Sequence, residues 1–229
     1  MVMLLAAAIL FLAIHFLISG TRLRDAITGV IGESPYLGLF SLASLAAIAW
    51  LCWSYNVAQA SGDNVVLYDL GRVRDAGVIV VLIAFLLGVP GLMQPNPTAV
   101  RGDAVSQPQA KGVLTITRHP FLWGVTIWSA FHLAANGDQA SVILFGSLFL
   151  LALFGTHSID AKRKRKMGER WQAFAAQTSN VPFAAALEGR VKIDWKGMLD
   201  WRLAAALALF AIVLFAHPWV FKVSPFPSG

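Results

Sequence analysis

The chain has 229 residues, 57% of them hydrophobic and only 13% charged, and its formal net charge is +6. This balance excludes an ordinary soluble domain and is typical of a polytopic membrane protein. Most of the positive charge follows a predicted membrane span, so we expect membrane lipids, and not nucleic acid, as its partners. The single cysteine, Cys52, excludes an internal disulfide and a cysteine-based zinc site.

Six apolar stretches predict an all-α polytopic bundle of about six transmembrane helices within one domain, residues 1–229. Most of them are long enough to cross a hydrocarbon core about 30 Å thick. The first has no basic region before it and no small-residue cleavage pattern after it, so we expect a retained anchor. The predicted spans are residues 2–19, 36–57, 71–93, 120–135, 140–157 and 199–220.

Polar segments join these spans. Residues 22–33 predict a short polar loop, and residues 94–109, which are rich in Pro, Gly, Asn and Asp, predict a longer one. Asn136-Gly137-Asp138 is a turn signal between the fourth and fifth spans, which predicts a tight antiparallel hairpin.

The segment after the fifth span is strongly basic. Lys162–Lys166 is an unbroken run of cations, which indicates a topology signal and a contact with lipid headgroups. Apolar residues then recur at helical spacing over 167–178, a pattern typical of an amphipathic helix on the membrane surface. We therefore predict a basic cytoplasmic loop, residues 158–198, that contains this interfacial helix.

The distribution of Lys and Arg predicts the orientation. If the N-terminus lies outside, 15 of the 18 Lys and Arg residues fall in inner segments and three in outer ones. Because inner loops of membrane proteins carry the excess of basic residues, we expect this orientation. It places Arg118-His119-Pro120 on the cytoplasmic side.

Two histidines, His15 and His132, lie within apolar helices, where ionisable groups commonly serve a function. His15 either bonds a neighbouring backbone carbonyl or acts as a ligand or proton carrier. His132 either has such a functional role or makes a polar contact that holds the hairpin together. Two facing imidazoles in an apolar bundle can ligate a haem iron, here non-covalently because no Cys-x-x-Cys-His motif occurs. Their estimated depths differ by roughly 12 Å, so His119 or His157 is an alternative partner for His15.

Arg118-His119-Pro120 opens the fourth span. Proline suits the first position of a helix. Arg118 is either an interfacial anchor or, together with His119 at a helix N-terminus, a binder of a carboxylate or phosphate group. We expect His157 and Asp160 to form hydrogen bonds at the end of the fifth helix.

Five different short motifs are distributed along nearly the whole chain: Ile14-His15-Phe16, Gly32-Glu33-x-Pro35-Tyr36, Thr117-Arg118-His119-Pro120, Ala130-Phe131-His132-Leu133 and Gly168-Glu169-x-Trp171. Together with the segment from Thr178 to Phe183, they resemble the NnrU family. The resemblance implies a bacterial inner-membrane protein, with its N-terminus in the periplasm, that is linked to denitrification and nitric oxide metabolism.

The same resemblance extends to the plant and cyanobacterial 15-cis-zeta-carotene isomerase, an integral membrane protein with haem b. It implies that His15 and His132 are the axial ligands of a haem iron. It also implies a carotenoid-like polyene as substrate or a gaseous ligand. The isomerase carries, three residues before its second ligand, a cysteine implicated in a redox-dependent ligand switch. Ser129 stands in that place here, and a serine cannot bind as a thiolate.

A more distant resemblance competes with this one. Gly112, the Arg118-His119-Pro120 motif and Gly168-Glu169 are similar to the membrane methyltransferases that modify isoprenylcysteine and phospholipids. This resemblance implies S-adenosylmethionine at the cytoplasmic interface, with Arg118, His119 and Glu169 facing it. A third hypothesis is a non-enzymatic assembly factor for a respiratory oxidase.

Overall fold

The computed structural model describes residues 1–99, 102, 105 and 108–226. Helices dominate this part of the chain, and its only β-type pairing is an isolated antiparallel bridge between Val66 and Asp138. The all-α prediction is confirmed. Six residues of the predicted 94–109 loop lie outside the described residues. The helices are α1 Val2–Ala13, α2 Arg22–Ile31, α3 Glu33–Gln59, α4 Gly77–Met93, α5 Pro120–Ala135, α6 Gln139–Met167, α7 Glu169–Gln177, α8 Ala184–Leu187, α9 Trp195–Met198 and α10 Trp201–Phe221.

Within the described residues, five helical stretches are long and apolar enough to cross a membrane. Val2–Ser19 runs through α1 and the turn that follows it, and Gly71–Met93 joins a short 3₁₀ turn to α4; the others are α3, α6 and α10. α5 has 16 residues, fewer than the roughly 20 that a bilayer crossing needs. The chain is therefore a polytopic membrane protein, and the predicted count of six spans is not confirmed.

The residues predicted as a first polar loop, 22–33, instead form α2 and the start of α3. Thr21 caps α2, because its hydroxyl accepts a hydrogen bond from the Leu23 amide at 3.2 Å. Asp25 lies in the first turn, where a negative charge interacts favourably with the helix dipole. The helix ends at Gly32, whose φ of +85° is readily adopted only by glycine. These local signals make a short helix out of a segment whose composition is that of a loop.

The basic run is also helical. α6 continues to Met167, so Lys162–Lys166 forms its last turns and not part of the loop predicted from residue 158. Cations are favourable in the last turns of a helix because they face its negative end. Gly168, with a φ of +56°, ends α6, and α7 begins at the next residue.

The predicted amphipathic helix over 167–178 corresponds to α7, but its apolar side is not left for lipid. Trp171 and Phe174 are buried against Leu114 and Met167. The hydrophobic face that predicted a membrane-surface helix is thus covered by the protein itself.

The described chain divides into two compact units. The first contains residues 1–71 and 132–151, and within it α1 packs along α3. The second contains residues 72–131 and 152–229, and within it α4 packs against α10. The assignment of the chain to one domain stays a prediction.

Glycines allow α4 and α5 to approach closely in the second unit. A Cβ on Gly124 would lie 2.7 Å from both the Cα of Gly88 and the carbonyl oxygen of Ala84. A Cβ on Gly91 would lie 2.6 Å from the Phe121 nitrogen. Small residues let membrane helices pack backbone to backbone, and here they fix the start of α5, directly after His119.

The connection between α5 and α6 has three residues and follows the predicted turn signal. Its last residue, Asp138, accepts hydrogen bonds at Oδ1 from Gln59, Asn64 and the Ser141 amide at 2.9–3.0 Å. Burial raises the pKa of this carboxyl, but the hydrogen bonds from Ser141 and Asn64 outweigh burial and hold the pKa below its usual range. The charged carboxylate therefore caps α6 and ties it to the end of α3.

Candidate functional site

His15 lies in a π-helical turn, Ile14–Ser19, that follows α1. Single π-helical turns are often found at functional sites because they displace a side chain from the regular helical register. The Nδ1 atom lies 2.7 Å from the carbonyl oxygen of Phe11. A carbonyl oxygen only accepts, so Nδ1 carries the hydrogen and Nε2 presents a lone pair. The bond to a backbone carbonyl that the sequence allowed is present, and it orients the ring as a metal-binding imidazole is oriented.

Aromatic side chains surround this partly buried ring. The Phe11 ring centroid lies 4.7 Å from that of His15, and the Phe40 centroid lies 5.3 Å away. Ser44 Oγ lies 3.4 Å from the Nε2 atom, a long contact that a rotation of the serine side chain would break. The environment suits a neutral imidazole whose second nitrogen binds a ligand.

An apolar cavity of about 400 Å³ opens between α1 and α3. It is lined by Leu10, Ile14, Ala43, Ala46, Ala47 and Trp50. Ile14 directly precedes His15 in the chain and Ala43 directly precedes Ser44, but neither His15 nor Ser44 belongs to the lining. Its volume lies within the range of about 300–1,000 Å³ typical of small-molecule sites. The lining residues favour a hydrophobic occupant.

His132, near the end of α5, belongs to the same compact unit as His15. Its partly buried ring lies 4.9 Å from that of Phe145 on α6, at an interplanar angle of 32°. Its carbonyl oxygen accepts hydrogen bonds from the backbone and the side chain of Asn136. The two predicted ligands thus share a unit, each within its own aromatic surroundings.

The donors fit a non-covalent haem b. Two partly buried imidazoles belong to one compact unit, the carbonyl of Phe11 sets which nitrogen of His15 carries a lone pair, and the preceding residue, Ile14, lines an apolar cavity. Ser129 takes no part in this set, because its fully buried hydroxyl donates to the Val125 carbonyl oxygen at 2.6 Å. Residue 129 therefore does not offer a thiolate to a metal.

Arg118 and His119 belong to the other unit, where both bind Asp160 of α6. Nε of Arg118 lies 3.0 Å from each oxygen of the Asp160 carboxylate, and Nη2 lies 2.5 Å from Oδ2. Its third nitrogen, Nη1, donates to the Thr178 carbonyl oxygen at 3.3 Å. The anionic group predicted for this arginine is therefore supplied by the chain itself.

The His119 ring is fully buried and lies 2.6 Å from Asp160 Oδ1 through Nε2. Its Nδ1 atom is buried and has no hydrogen-bond partner within the described ranges. Burial lowers the pKa of His119 despite the opposing effect of Asp160, so the ring is neutral and Nε2 donates its hydrogen to the carboxylate. His157, the other alternative partner of His15, is exposed on α6.

A second cavity, of about 350 Å³, lies in the region for which a methyltransferase-like cofactor site was considered. Its lining includes Lys111, Gly112 and Asp194, whose carboxylate accepts a hydrogen bond from the Gly112 amide at 2.9 Å. Arg118 and His119, predicted to face S-adenosylmethionine, instead bind Asp160. Glu169 is exposed at the start of α7.

Sequence reasoning missed two buried cations, Arg24 and Arg163. Arg24 of α2 has a side chain only 6% exposed, and it binds Glu33 and lies over the Tyr36 ring at 5.1 Å. The composition of this segment predicts a loop, in which an arginine is normally solvated. The motif Gly32-Glu33-x-Pro35-Tyr36 was the available signal, because two of its residues contact this arginine.

Apolar helices of membrane-spanning length and a pair of partly buried histidines define a polytopic α-helical membrane protein with a candidate prosthetic-group site. More specifically, the chain belongs to the NnrU family: the family model described as "NnrU protein" matches residues 3–225.

Two curated relatives are similar over most of the chain. The chloroplastic 15-cis-zeta-carotene isomerase of Arabidopsis thaliana is 28% identical over 95% of this chain and 60% of its own length. The protein of the same name from Zea mays is 26% identical with the same coverage. The chain thus spans about three fifths of the length of these relatives. No solved structure matches it.

Proposed function

We propose that this protein is a membrane-embedded isomerase that converts a cis double bond of a carotenoid-like polyene to trans, using haem b held by His15 and His132. The similarity to proteins named 15-cis-zeta-carotene isomerase supports the reaction class. The observation that carries the proposal is the orientation of His15. Its Nδ1 is fixed on the Phe11 carbonyl oxygen, which leaves Nε2 as the nitrogen with a lone pair, and the preceding residue, Ile14, lines an apolar cavity.

The reaction places few demands on polar side chains. Substrate and product have the same atoms, and only the π component of one carbon–carbon bond is broken and formed again. When bound, haem would supply an iron centre that interacts with the double bond. His15 and His132 would hold the iron, and Phe11 and Phe40 would keep water from it. Leu10, Ala46 and the other cavity residues would bind an apolar segment of substrate by burial alone.

Ser129 limits the proposal in one respect. Its hydroxyl bonds within its own helix, and a serine does not become a thiolate ligand. We therefore propose no redox-dependent exchange of His132 for residue 129, and one of the two histidines would have to leave the iron before a double bond or nitric oxide could bind there.

The cellular setting forms part of the proposal. The bias of 15 inner to three outer Lys and Arg residues supports a periplasmic N-terminus in a bacterial inner membrane. Membership of the NnrU family supports a link to denitrification, in which nitric oxide would be a ligand of the same haem. The methyltransferase and assembly-factor hypotheses stay predictions, with calorimetry against S-adenosylmethionine and co-purification of a partner as their tests.

The first test is the absorption spectrum of the protein purified in mild detergent, oxidised and then reduced with dithionite. We expect a sharp Soret band and split α and β bands on reduction, typical of a low-spin bis-histidine haem. His15→Ala and His132→Ala should each abolish or shift these bands. His217→Ala is the matched control, because this histidine is partly exposed near the end of α10, with Nδ1 2.8 Å from the Val223 carbonyl oxygen. An unchanged spectrum in both ligand variants contradicts the assignment.

The second test is turnover. Reduced protein is mixed with 15-cis-zeta-carotene in detergent, and the isomers are separated by chromatography. We expect conversion by the wild type and none by His15→Ala. Haem-loaded wild type that leaves the 15-cis isomer unchanged would remove the isomerase function while leaving the haem site in place.

A further inference from the structure

Arg24 is buried with its hydrogen-bonding capacity only partly used. Its side chain is 6% exposed, and Nη2 donates to Glu33. Nη1 lies 3.6 Å from the Asp25 carboxylate, too far for a hydrogen bond, and within the described residues it has no hydrogen-bond partner. Burying a charged hydrogen-bond donor costs free energy unless an acceptor pairs with it. Asp25 and Glu33 balance the charge of Arg24, but the donor Nη1 still lacks an acceptor within hydrogen-bond distance in the described residues.

Tyr36 supplies a second donor at the same place. Its ring lies 5.1 Å from the guanidinium carbon of Arg24. Its hydroxyl is buried near Ser19, and no partner in the described chain meets it with hydrogen-bond geometry. A guanidinium and a phenol that both offer hydrogen suit a carboxylate, which accepts through two oxygens.

A continuous line of ring contacts leads from this pair to His15. Tyr36 stacks on Phe40 at a centroid distance of 5.8 Å, and Phe40 lies 5.3 Å from the His15 ring. Tyr36 and Phe40 are four residues apart on α3, about 6 Å along its axis. All of these residues belong to the first compact unit. At one end of this line of rings, His15 offers a metal-binding nitrogen. At the other end, Arg24 and Tyr36 offer hydrogen-bond donors without an acceptor.

Haem b has the same asymmetry, since it is an apolar ring with two carboxylate side chains on one edge. We propose that Arg24 and Tyr36 bind a carboxylate of the haem that His15 ligates. This inference rests on the proposed function, because it requires haem to be present. It assigns the orientation of the cofactor, with its carboxylates towards α2, to two residues outside the ligand pair.

Two acidic residues already face Arg24. The side chains of Asp25 and Glu33 are 47% and 44% exposed, so water solvates much of their charge and screens their repulsion of a third carboxylate. Glu33 can keep Nη2 while the haem carboxylate takes Nη1. The same donors would also suit a lipid phosphate, which the experiment must distinguish.

The experiment compares haem b with its dimethyl ester, in which both carboxylates are blocked. Arg24→Gln removes the charge, and Arg22→Gln is the control, an exposed arginine on the same helix. Release of each haem to an acceptor haem protein is followed by absorbance. We expect Arg24→Gln to release haem b about tenfold faster, a factor worth about 1.4 kcal/mol, with unchanged band positions. The ester should leave wild type and Arg24→Gln at the same faster rate, and Arg22→Gln should behave as wild type.

Tyr36→Phe tests the inference if Arg24→Gln folds poorly, because it removes only an oxygen. It should accelerate the release of haem b by less than Arg24→Gln does, and leave the ester unaffected. Equal acceleration for both haems, or none, would overturn the inference and leave the proposed function standing. An effect seen only with anionic phospholipid present would overturn it in favour of a lipid phosphate. Wild type that binds no haem would refute the proposed function and this inference together.

Discussion

Replacing Asp160 by asparagine should destabilise the protein strongly, because Arg118, which is partly buried, and His119, which is fully buried, share this carboxylate. Arg118 binds it through Nε and Nη2, and His119 through Nε2. Asparagine keeps one acceptor oxygen but places an amide donor opposite the guanidinium. The stranded charge on Arg118, rather than the lost contacts alone, is then the main cost.

The expected loss follows from burial. Removing one member of a buried ion pair costs about 3–5 kcal/mol. The side chains of Arg118 and Asp160 are 15% and 18% exposed, whereas that of His119 is fully buried. Some water therefore reaches the guanidinium, and we expect a value near the lower limit, about 3 kcal/mol.

The assay is reversible unfolding in mixed micelles, followed by tryptophan fluorescence. Trp171 is a suitable reporter because its ring lies 5.6 Å from the Arg118 guanidinium carbon. Asp63→Asn, at an exposed turn position, is the control and should leave the unfolding free energy unchanged. Adding Arg118→Met to Asp160→Asn should recover part of the loss, because no charge is then stranded. An Asp160→Asn protein as stable as wild type would refute this account of the cluster.

Two further predictions concern stability. Because burial lowers the pKa of His119 below its ordinary value of 6.5, the unfolded state binds the extra proton first, and stability should fall as the pH drops below about 6.5. Unfolding midpoints from pH 7.5 to 5.5 should show this loss in wild type but not in His119→Gln; parallel profiles would argue against it. Gly124→Ala should cost about 1–3 kcal/mol by overpacking, since its Cβ would lie 2.7 Å from backbone atoms of Gly88 and Ala84. Gly146→Ala is the control, because its Cβ would meet nothing within 4 Å, and it should be neutral or slightly stabilising in a thermal unfolding assay. Equal unfolding midpoints for the two variants would contradict the close approach of α4 and α5.

Several membrane spans could be predicted well from the sequence, because the length and hydrophobicity of a segment determine whether it can cross a bilayer. The first, third and last spans agree with the structure to within a few residues. The ends of helices were less predictable, because they depend on local signals. Thr21 and Gly32 convert a polar loop into α2, and the basic run Lys162–Lys166 extends α6 since cations are favourable there.

Partners across the chain could not be predicted from spacing. Asp160 lies 42 residues after Arg118, and only the packing of α6 beside the start of α5 makes them a pair. Arg24 and Tyr36 come together for a similar reason, through the turn at Gly32. The histidines were identifiable because an ionisable group in an apolar run is conspicuous, but which ring nitrogen is free depends on a carbonyl that only the fold positions.

His15 and His119 show why a free ring nitrogen alone does not define a site. In each, one nitrogen is held by an oxygen, the Phe11 carbonyl in one case and the Asp160 carboxylate in the other. Both arrangements resemble the hydrogen bond that orients a metal-bound imidazole through its other nitrogen. They differ in access: the His119 ring is fully buried in a cluster that the chain itself completes, whereas His15 is partly buried and its neighbour Ile14 lines a cavity of about 400 Å³. Access, more than the chemistry of the nitrogen, is therefore the reason to propose His15 and not His119 as a ligand.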